Sequence, residues 1–192
     1  VIYVGFEFEA IPNWDAIMPV KAPSNYKKPE AIAKYVAERK AELAGGAAAV
    51  HLLTGTVKKI AVIDGAAESA SVRSFDGDRL DFLKTAIDLT CSGHAVVGCY
   101  VHKAMHLLAT MNAIYGHTRD GGNSVPVDYF KWIDECYNKP GGFIDPISLV
   151  FGSSDTDLTS AAIRFGVSVN PDSAAALAEF AMIVTRSIDL GA

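Results

Sequence analysis

The sequence predicts an α/β protein with a mixed sheet and helices on both faces. Two observations carry that expectation. Strand-like runs open the chain and are joined in hairpin fashion around residue 65, and strand-like and helical patterns then alternate. The composition permits such a fold: half of the 192 residues are hydrophobic and 20% are charged, which excludes general disorder and allows a core without disulfide or metal staples. The expected organisation is one domain over 1–192, with a loop-and-helix insertion at about 12–46.

The elements follow in order. Residues 1–9, VIYVGFEFE, are β-branched and aromatic, and apolar on both faces before Glu7, which predicts a central strand ended by the turn-prone IPNWD. Residues 19–29 hold three prolines and read as an extended loop. From Pro29 a proline in the first turn, an apolar stripe of Ile32, Tyr35, Val36 and Leu43, and the pair Gly45–Gly46 predict a helix. Residues 57–64 and 69–75 read as a hairpin, and 78–91 as a helix. The apolar run 94–101 fits a buried strand, and 103–115 the helix after it.

A glycine- and aspartate-rich loop at 116–124 precedes VDYFKWIDECY, which suits a short helix, and GGFIDPISLV, which suits a short strand and a turn. Residues 157–165 read as a helix capped by Asp155 or Thr156 and ended by Gly166. The last helix, 172–189, is expected to start at Asp172 and to bury Leu177, Phe180, Val184 and Ile188. A ribonuclease H-like fold fits this order of elements.

Charge and cysteine content narrow the function classes. A net charge of −5 disfavours a protein held on nucleic acid by a generally basic surface. The segment 21–40 departs from that balance, with six cations (Lys21, Lys27, Lys28, Lys34, Arg39, Lys40) against Glu30 and Glu38, a net +4 that leaves −9 for the rest. With Tyr26 and Tyr35 interleaved, this segment suits a single strand, although a solvated helix face with pairs such as Glu30–Lys34 explains it as simply. Three cysteines, Cys91, Cys99 and Cys136, cannot all pair within the chain, which suggests reduced thiols and a cytoplasmic setting. The apolar runs are too short for a membrane span. Val1 opens within an apolar run, as in a processed or trimmed start, and no signal-peptide pattern precedes it.

Glu7 and Glu9 are the first chemical candidates. Alternation along a strand puts both on one face, about 7 Å apart. Two like charges on an apolar strand need a cation nearby, and a divalent metal would serve; a solvated strand end is the simpler explanation.

Longer stretches add a likeness. VIYVGFEFEAIPNWDAI, then KAPSNYKKPEAIAKYVAERKAELAGGAAAVHLLTGTVKKIAVID, resembles the start of phage and bacterial DEDD-type 3′–5′ exonucleases. In that family an Asp-x-Glu pair ends the first strand, and some members continue with an Ile-Pro step and an Asn-Tyr-Lys-x-Pro-Glu segment. AVVGCYVHKAMHLLATMNAIYG resembles the second motif, usually Val-Gly-His-Asn followed by Phe-Asp-Leu. FIDPISLVFG and DLTSAAIRFGV resemble the Asp-Thr/Ser-Leu segment and the helix beyond it, and SAAALAEFAMIVTRSIDL the last motif, His, four residues, then Asp.

The resemblance implies an exonuclease-like domain that hydrolyses single-stranded DNA or RNA from the 3′ end. It would use two Mg²⁺ or Mn²⁺ ions held by Glu7, Glu9 and Glu179, with Ala10 and Ile11 facing the terminal nucleotide and replication proteins as partners. The family's Asp corresponds to Glu7, whose extra methylene moves the carboxylate by about 1.5 Å. Its His-Asn pair corresponds to Cys99 and Tyr100, its second-motif Asp to Met105 or Ala104, its last His to Ala174 and its last Asp to Glu179. A site lacking a ligand and a general base loses several kcal/mol of transition-state stabilisation, at about 1.4 kcal/mol per tenfold in rate. The alternative expectation is therefore a catalytically inactive nuclease-fold protein that binds nucleic acid or a replication partner.

Other residues have simpler explanations beside their chemical ones. His102 and His106 share a helix face and suit Zn²⁺ or Mn²⁺, or are ordinary partly buried histidines. Asp145 and Asp64 suit turns or caps. Cys99 lies in an apolar strand pattern and suits a buried, inert thiol.

Overall fold

The computed structural model describes residues 1–65, 71–74, 95–118, 135, 142–152, 157–170 and 173–188. The chain forms two compact units, Val1–Glu7 with Val57–Ala192, and Phe8–Thr56.

The first unit is mixed α/β. Its sheet contains β1 (Ile2–Ala10, which continues into the second unit), β2 (Gly55–Asp64), β3 (Ser71–Ser74), β4 (Val96–Val97) and β5 (Phe143–Ile144), in the order β3-β2-β1-β4-β5. β2 and β3 are antiparallel, with Lys59 opposite Ser74 and Val62 opposite Ser71, so the expected hairpin pairing is present. β4 runs parallel to β1, with Ile2 opposite Val96, and β5 runs parallel to β4, with Val96 opposite Phe143. β1 takes the middle place because Tyr3, Val4 and Phe6 are all buried, the property of a strand covered on both faces.

β4 is much shorter than the run 94–101 suggests. Tyr100 adopts a left-handed backbone (φ 59°), which turns the chain out of the sheet, and helix α2 (Val101–Thr118) begins at the next residue. α3 (Pro146–Phe151) follows β5 directly, where a turn was expected, because Asp145 caps it and Pro146 pre-sets its first turn. The cap of α4 (Leu158–Arg164) is Asp157, whose carboxylate accepts from the N–H groups of Thr159 and Ser160; its end falls at Gly166, as expected, with φ 66°.

α5 (Ala174–Ile188) closes the unit. Ser173 Oγ accepts from Ala176 N at 3.4 Å, the contact of an N-cap. Leu177, Phe180 and Val184 pack with Cys99, Ile147, Leu158, Ala161 and Ala162, while Ala174 and Ala178 pack with Tyr3, Ala61, Ile63 and Val97 of the sheet. The helix 78–91, the loop 116–124 beyond Thr118, VDYFKWIDECY apart from Glu135, and Asp155, Thr156 and Asp172 lie outside the described residues.

In the second unit, a 3₁₀ turn at Trp14–Ala16 follows β1 and α1 spans Pro29–Ala44, with proline in its first turn. The expected apolar stripe of α1 is only partly covered, and no residue of the helix is buried. The Lys40 ammonium donates to the Asp15 carboxylate, tying the turn to α1, and holds that carboxyl below its usual range. Among the described residues no helix is long and apolar enough to cross a membrane.

Among the described glycines of the first unit, the tightest surroundings are those of Gly5, where β1 meets α5. A Cβ at Gly5 would stand 1.9 Å from the Ala174 carbonyl oxygen and 2.6 Å from Ala178 N, so only glycine lets strand and helix meet there. Gly5→Ala is expected to destabilise the protein by about 2 kcal/mol or more in urea unfolding. An unchanged midpoint would contradict this contact.

Candidate functional site

The close approach at Gly5 sets the position of Glu7, two residues further along β1. The Glu7 side chain is 17% exposed. Its Oε1 accepts from the N–H of Ala174, the first residue of α5, at 3.1 Å. Its Oε2 lies 3.5 Å from Lys59 Nζ on β2. The first contact satisfies one of the helix's unpaired N–H groups and places a negative charge at the positive end of the helix dipole. The second supplies a full positive charge. The cation that the strand pattern calls for is thus provided from within the chain, and both oxygens of this carboxylate have partners.

The other expected site residues are placed as follows. Glu9 is exposed and belongs to the second unit. Ala10 is half-buried, and the N–H of Ile11 donates to the Thr54 carbonyl at 2.8 Å. Glu179 lies on α5 between the buried Ala178 and Phe180 and is exposed. Ala104, Met105 and Ala174, the positions matched to a metal-binding Asp and a general base, are buried in the apolar core, as is Cys99. Burial drives the Cys99 thiol far up from its ordinary range, and the nearby Asp145 carboxylate adds to the shift; this is the behaviour of an inert thiol. Among the described residues no three His, Cys, Asp or Glu side chains are grouped so as to hold a metal ion.

Asp145 is a buried carboxylate bonded on both oxygens. It is 2% exposed; Oδ2 accepts from Tyr100 N at 2.9 Å, and Oδ1 from Ile147 N at 2.9 Å and Ser148 N at 3.3 Å. One side chain thereby caps α3 and holds the left-handed turn that launches α2. It joins the ends of two neighbouring parallel strands, a region where open α/β sheets bind ligands. Burial pushes its pKa up, and the three N–H donors only partly offset that.

The second unit carries a separate feature. An open groove of about 370 Å³ is lined by Met18, Pro19, Val20, Lys21, Tyr35, Arg39 and Leu43. The rings of Tyr26 and Tyr35 stand 5.0 Å apart, tilted by 50°. Cations of the basic segment also pair with acids: Lys34 with Glu38 at 3.8 Å, rather than with Glu30, and Arg39 with Glu42.

Compared with known proteins, the chain matches no protein-family model, no curated protein and no solved structure. The exonuclease likeness therefore rests on the residues quoted for it. Lys59 and Ser173, which contact Glu7 and the first turn of α5, carry no motif that marks them in the sequence. The sequence signal for Lys59 is the pair Lys58–Lys59 within an otherwise largely apolar strand, which does not single out either lysine.

The Asp145 cluster yields a pH prediction. The folded state holds this proton more tightly than the unfolded chain, so stability falls as pH rises from the ordinary carboxylate range through the raised pKa, then levels off. Asp145→Asn removes that dependence. The stability of the native protein relative to this variant should decline with rising pH in urea titrations; a rising difference would contradict the assignment. Asp145→Ala, which leaves three N–H groups without their acceptor, should cost about 3 kcal/mol or more.

Proposed function

We propose that the chain is a ribonuclease H-like protein, its mixed sheet covered by helices on both faces, that binds single-stranded nucleic acid without hydrolysing it. The observation that carries the non-catalytic part is the environment of Glu7. Its two oxygens serve Lys59 and the N-terminus of α5. A divalent ion there would have to displace an ammonium and compete with a helix end. The matched positions Cys99, Met105, Ala104 and Ala174 offer no side-chain oxygen, and Mg²⁺ demands oxygen ligands. The residues present do not fit a two-metal centre.

The fold part is supported by the sheet: an antiparallel pair at one edge, the first strand in the middle and parallel strands on its other side. Nucleic-acid binding is supported by the groove, where Lys21 supplies positive charge, Arg39 a guanidinium shared with Glu42, and Tyr35 an aromatic face, a combination suited to a phosphate backbone and a stacked base. A DNA or RNA strand is the expected ligand, with a replication protein as the alternative partner.

One observation favours a residual 3′–5′ exonuclease instead. β1 and α5, which carry Glu7 and Glu179, pack directly on each other, as the likeness requires of its first and last motifs. The two readings separate in one experiment. A labelled single-stranded oligonucleotide is incubated with the protein in Mg²⁺ or Mn²⁺, and both binding and mononucleotide release are followed. Our reading predicts salt-sensitive binding without release, and a loss of about fivefold or more in affinity in Tyr35→Ala, from about 1 kcal/mol of stacking. Metal-dependent release abolished by Glu7→Gln would establish the exonuclease. Absence of binding to any oligonucleotide would remove the nucleic-acid part of the proposal.

A further inference from the structure

His102 and His106 lie in the first two turns of α2, four residues apart and therefore on one face. Val101, Ala104, Met105, Leu107 and Leu108 form the buried side of this helix, and both histidines are only partly buried. Their ring centroids are 4.7 Å apart with the planes at 76°.

We propose that these two imidazoles chelate a divalent transition metal of the Zn²⁺, Ni²⁺ or Cu²⁺ class. The geometry is close to what chelation needs. Two imidazoles bound to one zinc through Zn–N bonds of about 2.1 Å, at a tetrahedral angle, have ring centroids about 5 Å apart. Each ring uses one nitrogen for the metal and keeps the other for a hydrogen bond, the usual arrangement of metal-bound histidine. Imidazole selects the later first-row metals over Mg²⁺, whose preference is for oxygen. With no third His, Cys, Asp or Glu grouped with the pair among the described residues, water or an external ligand completes the coordination. The site is independent of Glu7 and of the nucleic-acid proposal.

Titration of the full chain with Ni²⁺ by calorimetry, in a buffer that does not coordinate metal, tests this. We expect a site that weakens roughly tenfold or more in His102→Gln and again in His106→Gln, each checked for native helix content. In the unaltered protein, substoichiometric Ni²⁺ should broaden the ring resonances of His102 and His106 before those of His51, His94 and His117, a readout that needs no variant. Binding unchanged in both variants, broadening that starts at another histidine, or no binding of Ni²⁺ would overturn the proposal.

Discussion

The contact between the opening strand and the closing helix is the constraint on which the rest of the first unit depends. It exists because residue 5 has no side chain and because Ala174 and Ala178 carry only methyl groups. The consequence reaches two residues further. With strand and helix in backbone contact, the Glu7 carboxylate meets the first N–H of α5 and remains within reach of Lys59. A packing requirement in the core thereby fixes the electrostatics of the residue that the sequence marks as most interesting.

The same logic operates at Asp145. Burying a carboxylate is costly unless its lone pairs are used. Here three backbone donors use them, and in return the carboxylate holds a left-handed residue, Tyr100, that would otherwise be disfavoured. These two acids have structural roles, Glu7 on β1 and Asp145 directly after β5. In both, the polar side chain satisfies the ends of helices, which leave backbone N–H groups without partners within the helix.

What could be read in the chain beforehand follows from the range of each interaction. The central place of β1 was legible because Tyr3, Val4 and Phe6 leave no polar face. The β2–β3 hairpin was legible from its turn residues, and the buried face of α5 from Leu177, Phe180 and Val184 at helical spacing. Those signals are local. The early end of β4 was not legible, since Val101 looks like one more strand residue until the Asp145 carboxylate, far along the chain, takes the Tyr100 N–H. The partners of Glu7 were hidden for the same reason: Lys59 sits on another strand and Ala174 nearly at the other end of the sequence. Spacing alone indicated that Glu7 needed positive charge beside it. It gave no means of distinguishing a metal ion from an ammonium and a helix end.

The central claim is that Glu7 is held by Lys59 and α5 rather than by a metal, and a double-mutant cycle on Glu7 and Lys59 tests it most directly. Urea unfolding of the native protein, Glu7→Gln, Lys59→Met and the double variant, each with and without Mn²⁺, gives the coupling between the two side chains. The account predicts a favourable coupling of about 0.5–1 kcal/mol, modest because Lys59 is partly solvated, and no stabilisation by Mn²⁺. Zero coupling, together with a Mn²⁺-dependent gain in stability that disappears in Glu7→Gln, would contradict it.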